Sequence, residues 1–66
     1  MKMSYQSMRR DVPTGVAQIS AIDLTGNKMT LTAGMREYVV KNLRAHEREL
    51  SVGMQVYADR FSVVAV

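Results

Sequence analysis

The side chains best suited to chemistry in this chain are cations and aromatic rings. Nine Lys and Arg stand against six Asp and Glu, a net charge of +3 that favours acidic partners. Binding to single-stranded nucleic acid needs a basic track together with rings on which bases can stack. Arg9, Arg10, Lys28, Arg36, Lys41, Arg44, Arg48 and Arg60 are available for the first, and among Tyr5, Tyr38, Tyr57 and Phe61 it is Tyr57 that suits the second. Tyr57 alternates out of phase with the apolar Val56 and Ala58, which predicts a solvent-facing ring near Arg60. Tyr38 reads instead as a core residue. These six residues, Arg9, Arg10, Lys28, Arg36, Tyr57 and Arg60, are the candidate surface for nucleic acid or a protein partner.

Catalytic constellations are sparse. His46 is the single histidine, its nearest serine is Ser51, and no third group is spaced to orient such a pair. Glu47 and Glu49, two residues apart, do not share a helix face, and Arg44, Glu47 and Arg48 read as a mixed charged face in solvent. The four glycines stand apart as turn residues rather than as a phosphate loop. The reading is a protein that binds and does not catalyse, with no cofactor. Six methionines raise soft-metal binding as an alternative, since thioether sulfur suits Cu(I). Met1 is set aside as a start residue and Met29 belongs to a strand's inward face, so Met3, Met8, Met35 and Met54 remain with His46 as the one imidazole, and of these Met35 and His46 are the candidate metal ligands.

These residues need a scaffold, and 66 residues allow one domain near the lower size limit for a single core. No cysteine is present to staple it. Residues 1–14 show no sustained period and are expected to form a flexible arm, with residues 15–66 forming the folded domain. From Gly15, the apolar Ala17, Ile19 and Ala21 alternate with Gln18 and Ser20, and then Ile22 and Leu24 take up the opposite phase. A strand that continues through such a slip needs a bulge or bend near Ala21 and Ile22. Thr25, Gly26 and Asn27 form the turn, and Lys28–Ala33 returns with Met29, Leu31 and Ala33 inward. Residues 35–40 are a third strand with Tyr38 and Val40 inward.

Lys41 to Leu50 breaks the β pattern and predicts one short helix or turn between strands 3 and 4, laid over the core by Leu43 and Leu50. A fourth strand carries Val56 and Ala58. The ending admits two readings. Asp59 and Arg60 make a two-residue turn into a short fifth strand, or residues 55–66 run as one strand whose apolar edge, Phe61–Val66, pairs with another copy to build a homo-oligomer. The fold class is all-β, a small five-stranded Greek-key barrel of the OB type. No apolar run reaches membrane-spanning length and no secretory signal opens the chain, so the expected location is cytoplasmic, or periplasmic if a signal segment was removed.

The stretch TGVAQISAIDLTGNKMTLTAGM with the later ELSVGMQVYA resembles the OB-like barrels of the periplasmic copper-efflux metallochaperones and related short domains. The resemblance spans Thr14 to about Ala58. It implies the OB-like fold and raises soft-metal binding. That family's metal site uses a histidine ending the second strand, a tryptophan, and two methionines spaced two apart before the third strand. In this chain the second strand ends in Thr32 and Ala33, tryptophan is absent, and Met35 alone matches one of the methionines.

Overall fold

The computed structural model describes Arg9 and residues 12–66. Five strands form one antiparallel sheet in the order β3-β2-β1-β4-β5: β1 (Gly15–Asp23), β2 (Lys28–Ala33), β3 (Arg36–Lys41), β4 (Gln55–Ala58) and β5 (Val63–Ala65). Three consecutive strands and a fourth that returns beside the first give the Greek-key order 4-1-2-3. The expected barrel closure does not occur. The sheet is open, with β3 and β5 as its edges.

β1 organises the sheet because it serves two neighbours in succession. Its first half pairs with β4 from Gly15 to Gln18, and its second half pairs with β2 from Gln18 to Asp23. Between Ile19 and Ala21 the register shifts, so Ser20 is the extra residue of a bulge. The apolar phase slip in the sequence is this bulge. It lets Ala17 and Ile19 face the core ahead of Ser20, and Ile22 turn toward it afterwards.

The core lies on one face of the sheet. Ile19, Met29, Leu31, Val40, Val56 and Val63 are almost completely buried, with Ile22, Ala33, Leu50 and Met54 packed against the cluster. Tyr38, placed inward from its phase, is half-buried. The turn between β2 and β3 consists of Gly34 and Met35, and Gly34 takes φ 65° at its first position, where a two-residue hairpin needs a positive φ. Met35 therefore sits at the hairpin tip and not in β3.

Three further features bear on the sequence expectations. First, Arg9 and Val12 are buried, and Val12 belongs to the core cluster, so the body of the domain begins before residue 15. Residues 1–8, 10 and 11 of the expected arm lie outside the described residues. Second, the 41–50 region contains only a single 3-10 turn, Glu47–Glu49. Leu43 is buried and Leu50 half-buried, as their spacing predicts, but Glu47 is buried as well. Third, β4 and β5 are separate strands joined by residues 59–62. The Asp59 carboxylate accepts hydrogen bonds from the Phe61 and Ser62 N–H groups at 2.8 and 2.9 Å, which makes the turn without glycine.

Candidate functional site

Opposite the core, the sheet presents a second face that nothing among the described residues covers. Alternation along each strand decides which side chains reach it, and cross-strand register decides which become neighbours. Four rows result. Val16, Tyr57 and Val64 lie side by side on β1, β4 and β5. Glu37, Thr32, Gln18 and Gln55 form the next row, on β3, β2, β1 and β4. Val39, Thr30 and Ala21 follow, and Lys41, Lys28 and Asp23 make the last row beside the 24–27 turn. Val16 is 59% exposed, Tyr57 43% and Val64 45%. Both lysines are exposed.

The six candidate binding residues do not converge on one spot. Tyr57 and Lys28 share the open face at opposite ends, roughly 20 Å apart along the strands at about 3.4 Å per residue. Arg36 pairs with Ala33 at the other end of the β2–β3 hairpin from Lys28. Arg60 is exposed in the 59–62 connection. Arg10 lies outside the described residues. Arg9 is the correction: it is 8% exposed and bound to a carboxylate, so it offers no charge to a surface ligand.

That carboxylate is Glu47, whose side chain is fully buried. Its Oε1 accepts from Arg9 Nη2 at 2.9 Å and from the Arg44 N–H at 2.7 Å, and its Oε2 accepts from Arg9 Nη1 at 2.7 Å and the Val63 N–H at 2.8 Å. Burial pushes the carboxyl toward the neutral form, but the hydrogen bonds from Arg9, Arg44 and Val63, with the Arg9 charge, outweigh it. The net result is a Glu47 that ionises more readily than an ordinary glutamate. Arg9 also donates through Nη2 to the Asn42 carbonyl at 3.1 Å, and its own N–H bonds the Arg60 carbonyl at 2.9 Å. The Asp59 carboxyl is likewise lowered, by the N–H groups of Phe61 and then Ser62.

Around this centre the 42–50 segment ties two connections together. Arg48 Nη1 donates to Asn27 Oδ1 at 2.6 Å and to the Leu24 carbonyl at 3.3 Å, fastening it to the β1–β2 turn. Arg44 donates to the Phe61 carbonyl, and His46 Nε2 lies 2.9 Å from Ser62 Oγ, fastening it to the β4–β5 connection. His46 is thus a surface residue engaged with a serine. Met35 is 101% exposed at the hairpin tip, so its sulfur touches no other candidate ligand. Among the described residues no group of three or more His, Cys, Asp or Glu is placed to hold a metal ion, and no helix is long and apolar enough to cross a membrane.

Two residues that matter are not placed by residue type alone. Glu47 carries a signal in its spacing, four residues after Leu43 and three before Leu50, on the stripe that packs inward. Lys41 becomes a partner of Lys28 through the hairpin register, which a two-residue Gly34–Met35 turn dictates. Comparison with known protein families, curated proteins and solved structures finds no match for the chain.

Proposed function

We propose that this protein is a non-enzymatic binding module of OB-like build that takes single-stranded nucleic acid on its open sheet face. The observation that carries this reading is the placement of an exposed ring, Tyr57, on the same uncovered face as an exposed cation, Lys28. A ring flanked by Val16 and Val64 offers a flat platform on which any base can stack. The strand order and the 3-10 turn between β3 and β4 are those expected of an OB-like module left open between β3 and β5. Fluorescence anisotropy with a labelled oligothymidylate tests it. Binding is expected to weaken linearly on a log–log plot against salt, because bound phosphates release counterions. Absence of binding at the lowest salt refutes the reading.

A second reading has its own observation. Val64 and Val66 are exposed beside the β5 edge, and a protein partner or a second copy could add a strand there. The edge is only partly available, since the Val63 N–H is already held by Glu47. Nucleic acid on the face is therefore the leading proposal. Soft-metal binding through Met35 or His46 ranks below both, because the two stand on separate connections and neither has a second ligand beside it among the described residues.

A further inference from the structure

Lys28 and Lys41 are direct cross-strand partners, both exposed and on the same face. Like charges placed opposite one another in a sheet repel, and neither lysine makes an ion pair among the described residues. Arg48, bound to Asn27 at the adjoining turn, adds a third positive charge at this end. The face carries two acidic side chains, Asp23 beside Lys28 on β1 and Glu37 beside Thr32 on β3. They stand on opposite sides of a diagonal that runs from Lys41 and Lys28 through Thr30 to Gln18 and Gln55, and ends at Tyr57. Along it the side chains between the lysines and the ring are uncharged. Gln18 keeps its Oε1 available on this path, its Nε2 being donated to the Gly53 carbonyl at 3.1 Å.

We infer that Lys28 and Lys41 together form a phosphate-binding pair at one end of a diagonal track for a single strand, with Tyr57 stacking a base at the other. The inference rests on the nucleic-acid reading and adds to it Lys41, the direction of the strand across the sheet, and the exclusion of Arg9. A polyanion relieves the repulsion between the two lysines, which an apolar or basic partner does not. Asp23 and Glu37 repel a strand that leaves the diagonal, so the path is defined by charge on both sides. The track is roughly 20 Å long from the strand rise, which suits the short end of the roughly 4–16 nucleotide range of small barrel domains.

The test compares salt titrations of oligothymidylate binding for the wild-type chain, Lys28→Gln, Lys41→Gln, the double variant, Tyr57→Ala and Tyr57→Phe. Each lysine replacement is expected to reduce the log–log salt slope by about 0.7, and the pair by about 1.4. Tyr57→Ala is expected to weaken binding roughly 5- to 150-fold with the slope unchanged, while Tyr57→Phe retains the ring and the affinity. All five variants change exposed side chains, and circular dichroism checks that each keeps its sheet. If the wild-type chain binds and the double lysine variant keeps the full slope, the phosphate pair is wrong and the broader reading survives. If the wild-type chain does not bind at low salt, both fall.

Discussion

A carboxylate with no exposed surface in a chain of 66 residues demands an account of every lone pair it carries. Glu47 satisfies its lone pairs with two guanidinium N–H groups and two backbone N–H groups. The backbone donors explain why an apolar pair would not serve as well. Replacing Arg9 and Glu47 by hydrocarbon would leave the Arg44 and Val63 N–H groups unsatisfied, at about 1–3 kcal/mol each. Glu47→Gln leaves the Arg9 cation buried without its counter-charge and is expected to cost about 3–5 kcal/mol at neutral pH. That is a large share of the roughly 5–15 kcal/mol that holds a domain together. Because the Glu47 carboxyl is lowered on folding, its contribution is complete above the unfolded value of about 4.3 and is lost as pH falls through the lower folded value. Urea midpoints of the wild type and Glu47→Gln should therefore differ most near neutrality and converge in acid; a difference independent of pH would contradict the ionised pair.

The elements were legible to different depths for reasons that can be named. Lys28–Ala33 is legible as a strand because alternation over six residues has one interpretation when one face is buried. The β1 bulge was legible as a break in phase, although its position at Ser20 was set by pairing with β2. β3 began one residue later than expected because Gly34 and Met35 together make the hairpin turn. Gly34 has open space where a Cβ would sit, so Gly34→Ala meets no neighbour and suffers only the cost of its positive φ. That cost is about 1–2 kcal/mol, measurable as a shift in the urea midpoint with unchanged slope. A neutral substitution would mean the turn relaxes to another type. The 41–50 region was the least legible element, since a single 3-10 turn held by Glu47, Arg48 and Arg44 to distant carbonyls and N–H groups has no period of its own.

At the scale of the molecule, an open sheet has two edges to protect. β3 carries Arg36, Glu37 and Lys41, charges that discourage edge-to-edge pairing. On β5, hydrogen bonding alternates. The Asp59–Ser62 and Val66–Gln55 bonds, at 3.0 and 3.1 Å, place Val64 toward β4 and leave the backbone of Val63 and Ala65 facing outward. Glu47 takes the Val63 N–H, which leaves Ala65 as the outward donor within β5. Ala65→Pro removes that donor without breaking a bond to β4, and Pro is tolerated at such a position. Sedimentation is expected to show the wild type and Ala65→Pro as monomers alike. A wild-type dimer that Ala65→Pro dissociates would instead support strand addition at β5.

Alternation, turn residues and the phase slip are local signals, each written within a few residues. They were sufficient for an all-β chain with a short turn before its fourth strand, for most of the core, and for an outward Tyr57. The burial of Arg9 and Glu47 depends on residues 38 positions apart meeting beside β5. The opposition of Lys28 and Lys41 depends on pairing across a hairpin. A charged residue reads as a solvent residue until its partner is known, because isolated burial of a charge is costly and only tertiary contact offsets it. Local patterning thus set the strands, and tertiary contact alone chose which charges became interior structure and which were left facing solvent on the open face.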